Sequence, residues 1–224
     1  MSSWVATQPP FAIGWLTIRI VRSRVGYTTS REDVLATPPV SDQWQVLAVR
    51  DVLDGTIPAR RVWLRGRHTG RFALLLSFGP NGNFAGSIEA ALIPGLELQA
   101  DLHFYPGEPA LRAIIGSRPG RPATAGRPAG AGDLAGLLAA WSAGLEQDPW
   151  LTEWPALLTA VPVPGESGWH LADQAGLAVP LLGPESRWSL LAVSGGRPVC
   201  VAGELSPAGL TALTVWHGNQ VVRL

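Results

Sequence analysis

The chain contains no lysine; all 17 of its basic residues are arginine. Every cationic contact is therefore a planar guanidinium fork, suited to bidentate or stacked geometry rather than to a mobile point charge. Cysteine occurs once, at Cys200, which excludes an internal disulfide and fits a reducing, cytoplasmic setting. The same count excludes a Cys-x-x-Cys knuckle, and His68, His103, His170 and His217 stand singly, without His-x-x-x-His spacing. Neither a metal nor a cofactor is expected. No run of about 18 apolar residues is present, so no membrane-spanning helix is expected either. Met1 to Ile13 has no basic start and is broken by Pro9-Pro10, unlike a signal peptide. Charge of one sign does not dominate, because 17 acids balance the arginines.

What is present describes a soluble globular protein. Hydrophobic residues make up 46% of 224 positions and charged residues only 15%, enough apolar mass for one large or two small domains. At that length a fold buries roughly 70% of its unfolded surface and needs no disulfide or metal to hold it. The arginines are uneven: residues 1–75 hold ten against five acids, and residues 76–224 hold seven against twelve. The first half can thus carry a basic face, although no dense run of arginine marks one.

The pattern along the chain predicts an α+β fold in four parts. Residues 1–41 form a leader and short helices: Trp15 to Arg24 reads as a helix ending at Gly26, and Ser30 caps a turn or two running to Ala36. Residues 42–116 form an antiparallel β unit. Its strands are Trp44 to Val49, a hairpin of Arg61 to Arg65 with Arg71 to Phe78, Leu98 to Tyr105, and Leu111 to Ile115; Asp54-Gly55 marks a turn. Residues 117–132 are a Gly, Pro and Arg linker, flexible by composition. Residues 133–224 form a second lobe, helical and then β. Asp133 caps a helix with Leu134, Leu137, Leu138 and Trp141 on one face, and Val161 to Gly168 reads as loop. The segments Trp188 to Val193, Pro198 to Gly203, Leu213 to His217 and Gln220 to Arg223 suggest a small antiparallel barrel or meander. No internal repeat of fixed period is visible.

Side chains alternate across a strand, so the hairpin has two faces. Val62 and Leu64 point inward, with Phe72, Leu74, Leu76 and Phe78 as their partners and Phe104 below. Arg61, Trp63 and Arg65 point outward, Arg65 facing Arg71 and Trp63 facing Ala73 across a five-residue loop. Asp101, His103 and Tyr105 occupy the outer parity of the later strand. If the two segments are neighbours, Arg61, Trp63, Arg65, Arg71, Asp101, His103 and Tyr105 share one face. Paired arginines repel and require an anion between them, Asp101 or a ligand; either the second lobe covers the face with Asp101 neutralising the arginines, or the face is open to a partner. Catalysis has little to work with. Asp101 and His103 sit about 6–7 Å apart on one strand face, too far for a hydrogen bond, and Ser77 lacks a Gly-x-Ser-x-Gly elbow. Gly130-Ala131-Gly132-Asp133 precedes a helix as a phosphate loop would, but lacks the lysine and the third glycine. Cys200 reads as a small core residue, and Trp141, Trp150 and Trp154 as core around one helix.

The stretches Arg24 to Leu35, Arg61 to Gly66, Thr69 to Phe78 and Leu102 to Gly107 resemble the C-terminal region of bacterial SWIM zinc-finger family proteins. That family is named for a Cys-x-Cys…Cys-x-His site in its N-terminal part, which is missing here, so the chain resembles a shortened member. The resemblance implies a non-catalytic interaction or scaffold module working beside an AAA+ ATPase system, with a protein partner. The alternative expectation is a nucleic-acid-binding module using Arg61, Trp63, Arg65 and Arg71.

Overall fold

The computed structural model describes residues 29–54, 57–79, 84, 87–166 and 168–224. The helix expected over Trp15 to Arg24 and the Gly55 turn lie outside the described residues. A first short helix, α1 (Arg31–Leu35), begins as expected, with the Ser30 hydroxyl accepting the Asp33 N–H at 3.1 Å. Five strands follow: β1 (Val40–Asp54), β2 (Ile57–Gly66), β3 (Phe72–Phe78), β4 (Leu96–Phe104) and β5 (Arg112–Ile115). They pair in the order β1-β2-β3-β5-β4, and β4 returns to β1, so the pairings form a ring. Only the β3–β5 contact is parallel. A 3-10 turn, Ile88–Ala91, lies between β3 and β4.

The second half repeats this plan. After β6 (Ala123–Thr124) and α2 (Leu134–Gln147) come β7 (Trp154–Gly165), β8 (Gly168–Ala172) and β9 (Ala178–Leu182), then α3 (Pro184–Ser194), β10 (Val199–Ser206), β11 (Gly209–His217) and β12 (Gln220–Arg223). The ring order is β7-β8-β9-β11-β10 and back to β7, with β9–β11 parallel. Each ring thus has a helix before its first strand, one helical turn or more between its third and fourth, and the same strand order. The sequence shows no fixed repeat because the repeat is one of topology: 15 residues of β1 answer to 12 of β7, and four residues of 3-10 turn to 11 of α3. Strands β6 and β12 add to the outside of β4 and β11. No helix among the described residues is long and apolar enough to cross a membrane.

Three local expectations are corrected. Val161 to Gly168, read as loop, is mostly the β7–β8 hairpin. Beyond Ala160, β7 pairs only with β8, so Pro162 and Pro164 lie where one edge of the strand needs no donor. Trp188 to Val193, read as strand, is helix α3, opened by Pro184 in its first turn and stopped by left-handed Gly195 at φ 56°. The third correction is the register of β3. Arg65 faces Phe72, Trp63 faces Leu74, Leu64 faces Ala73 and Val62 faces Leu75. Ala73 and Leu75 therefore enter the core, while Phe72 and Leu74 face the second ring and Phe78 is 49% exposed.

The shift has a visible cause in Asp42. Its buried carboxylate accepts the Thr69 N–H at 2.8 Å, the Thr69 hydroxyl at 2.7 Å and the His68 N–H at 3.1 Å. These bonds wind the loop by one residue more than the alternation suggests, and one residue of slip exchanges the two faces. Burial opposes ionisation of Asp42, but the Thr69 and His68 bonds outweigh it and lower its pKa to about 2. A depressed carboxylate pKa stabilises the fold above about pH 4, and that contribution fades as pH falls through about 2. Asp42→Asn is expected to cost about 2 kcal/mol at pH 7 and to flatten the acid limb of a denaturation series between about pH 4 and pH 2. An unchanged acid limb would show that these bonds do not set the loop.

On β2 and β4 the inner parity is as expected. Val62, Leu64, Ala100, Leu102 and Phe104 join Trp44 in the first core, and the Trp44 indole N–H donates to Ala100 O at 3.1 Å. The second core gathers Leu158, Leu171, Leu190, Val201 and Val215, with Leu134, Leu137 and Trp141 of α2 against it. Trp154 packs there too, its ring so close that a Cβ on Gly144 would lie 2.5 Å from it, whereas Trp150 is exposed. A third apolar cluster joins the rings: Leu47, Ala48 and Trp63 meet Leu157, Cys200, Ala202, Leu213 and Trp216. The register of β1 against β2 shifts between Val46 and Ala48, and this bulge lets consecutive Leu47 and Ala48 both reach the seam. The segment 117–132 is laid across both rings as a strap. Gly126 O accepts the Gln45 amide at 2.6 Å, and Gly132 exchanges bonds of 3.0 Å with Leu157 and Thr159.

Candidate interaction surfaces

The outer face of β2 is the inner side of the seam. Trp63 is only 2% exposed, covered by the second ring, and its indole N–H donates to Glu204 Oε1 at 2.8 Å. Glu204, itself 1% exposed, also receives Arg50 Nη1 at 2.6 Å and lies 2.8 Å from Arg61 Nε. Arg61 reaches Glu153 with its Nη1, again at 2.8 Å. Glu204 stands next to a register shift in β10, where Gly203 passes so close to β11 that a Cβ would lie 2.0 Å from Thr211 O. That close approach aims the carboxylate at the seam. The anion required by the outward arginines is therefore Glu204, with Glu153, and not Asp101.

The other expected site residues are dispersed. Strand β1 separates β2 from β4, so the seven residues do not share one face. Asp101 accepts hydrogen bonds from the Ser41 and Ser117 hydroxyls, which lower its pKa. His103 Nδ1 lies 2.7 Å from Thr37 O and ties the end of α1 to β4. Arg71 lies flat on Phe104, 3.7 Å from the ring centre, and reaches Ala110 O. Tyr105 is stacked by Arg112 at 4.3 Å. Arg65 lies at the junction of the two rings and the strap, donating to Ala129 O and Gly130 O. Among the described residues no three His, Cys, Asp or Glu side chains converge as metal ligands would.

One groove does use part of the expected set. The loop from Tyr105 to Leu111 and the connector from Asp148 to Glu153 flank Arg61, Trp63, Leu74 and Leu76, enclosing about 620 Å³. A smaller cavity of about 400 Å³ shares Arg61 and Leu76 with it and extends to Leu53. Leu53 is 73% exposed, and Ile57, 53% exposed, stands beside it near the same end of the hairpin. Glu108, Asp148 and Glu153 line the groove alongside Arg61 and Arg112. Sequence reasoning missed Glu204 and Glu153. The available signal was a lone acid inside the apolar run Val199 to Leu205, since a charge in such a strand needs a buried partner. No family model, curated protein or solved structure matches the chain.

Proposed function

We propose that the chain is a non-catalytic interaction module that holds an extended segment of a partner protein in the groove between the β4–β5 loop and the α2–β7 connector. The observation that supports this reading is the groove's chemistry: an apolar floor of Leu74, Leu76 and Leu111, continuous with Leu53, and a wall of mixed charge with Glu108, Asp148 and Glu153 beside Arg61 and Arg112. Three acids stand against two arginines there, and Arg61 is already engaged by Glu153 and Glu204, so the wall offers a phosphate backbone little net attraction and suits a polypeptide better. Five-stranded rings with this strand order resemble the oligonucleotide-binding type of Greek key, which binds across its second and third strands. In the first ring that face carries Arg61 and Trp63 and is covered by the second ring; in the second ring β8 and β9 carry no arginine. The nucleic-acid alternative thus loses Arg61 and Trp63 from its expected surface and keeps only Arg65 and Arg71, which lie apart from them. The resemblance to the C-terminal region of SWIM zinc-finger proteins supports a place beside an AAA+ ATPase system, and the partner would be a component of it.

Leu53→Glu and Leu76→Glu place charge on the groove floor at positions outside the two cores. Capture from the host's own lysate is expected to fall about tenfold or more with either variant, while Leu177→Glu, at an exposed position on the β8–β9 turn outside the groove, leaves it intact. Equal capture by all three, or retention on single-stranded oligonucleotides that fades steeply with salt, would remove the groove from consideration.

A further inference from the structure

A second cavity, of about 380 Å³, lies where the first ring, the strap and the second ring meet, and its wall includes Arg65, Arg67, His68 and Arg127. We propose that it binds a phosphate group, free or carried by a mononucleotide. The hydrogen bonds at the wall leave donors in excess. Arg65 gives Nε to Gly70 O at 3.3 Å and Nη1 to Ala129 O and Gly130 O, so those carbonyls are already satisfied. Gly126 O of the strap is likewise taken, by the Gln45 amide at 2.6 Å. Arg127 reaches two neutral groups, the Thr159 Oγ1 at 3.1 Å and the Cys200 thiol. Neither Arg65 nor Arg127 meets a carboxylate among the described residues.

The charges point the same way. Arg67 is paired with Glu97 at 2.6 Å, and Asp42 is occupied by the Thr69 and His68 donors. Three guanidiniums therefore face two carboxylates, and the Asp42 carboxylate is further taken up by the His68 ring at 2.8 Å. Burial lowers the Arg65 pKa from its ordinary value, as expected for a cation held without a counter-ion. Guanidinium forks match the oxygens of phosphate two at a time, and a volume of this size admits a phosphate with an attached nucleoside. The groove described above, with three acids against two arginines, has the opposite balance of charge.

Titration calorimetry of the full chain with inorganic phosphate and with ADP tests the proposal. At least one probe is expected to bind at about millimolar or tighter, weakening as ionic strength rises. Arg127 is exposed and outside both cores, so Arg127→Gln is expected to keep the wild-type melting temperature and to weaken binding about tenfold. ADP binding about tenfold tighter than phosphate would place the nucleoside in the cavity as well, and equal affinities would assign the site to phosphate alone. No binding of either probe at about 10 mM, or affinity unchanged by both Arg127→Gln and Arg127→Glu, overturns the proposal.

Discussion

Glu204→Ala is expected to destabilise the chain by about 3–5 kcal/mol, read as a fall in the midpoint of chemical denaturation. The carboxylate is 1% exposed, accepts hydrogen bonds from Arg50 and the Trp63 indole, and is the ion-pair partner of Arg61 Nε. Arg61 keeps Glu153, and Arg50 is partly solvated, so neither is stranded outright. The cost comes mainly from the Trp63 N–H and the inner side of Arg61, left in a seam without water or acceptor. Glu204→Gln keeps an acceptor oxygen and the shape while removing the charge, and should lie between alanine and wild type. A loss below about 1 kcal/mol for alanine would mean that water reaches the seam.

Trp63→Ala is expected to cost a similar amount, about 3–5 kcal/mol, by a different route. The indole packs among Leu47, Leu157, Cys200, Leu213 and Trp216, so its removal opens a void between two rigid rings that cannot collapse onto one another. Because the same change removes one donor from Glu204, the double variant Trp63→Ala, Glu204→Ala should lose less than the two single losses combined, by about 1 kcal/mol or more. Strict additivity would show that the indole and the carboxylate do not act together.

How far the residues alone reveal this arrangement depends on how many faces of a strand are covered. On β2 and β4 one face is apolar and the other mixed, and the inward set Val62, Leu64, Ala100, Leu102 and Phe104 is readable directly. Strand β3 reads Phe-Ala-Leu-Leu-Leu-Ser-Phe, apolar on both faces because one packs into the ring and the other onto the second ring. Such a run has no phase, and the turn that settles it depends on Asp42, 27 residues from Thr69. Helix α3 was misread for a related reason: a short apolar run around Leu190 and Leu191 fits strand or helix equally, and only Pro184 and Gly195 favour the helix. The outward Arg61 and Trp63 announced the need for an anion. Its identity was not readable, since Glu204 lies 141 residues from Trp63 in sequence and is delivered by the second ring. The topological repeat was hidden similarly, because a ring needs only apolar positions at the right parity, which different residues supply in each copy.

The central claim, that the Arg–Trp face is an internal seam joining two rings into one unit, can be tested with the chain's single thiol. Cys200 is fully buried in the seam among Trp63, Leu157 and Trp216, and burial raises its pKa, so the native thiol is neither accessible nor ionised at neutral pH. The measurement is the rate of labelling by a thiol reagent in the folded protein, compared with the same chain in denaturant. The account predicts native labelling slowed by about a thousandfold or more, with Glu204→Ala and Trp63→Ala accelerating it in proportion to their loss of stability. Labelling of the folded wild-type chain at a rate near that of the denatured one, while both cores remain intact by circular dichroism, would mean that the rings part in solution and would contradict the seam.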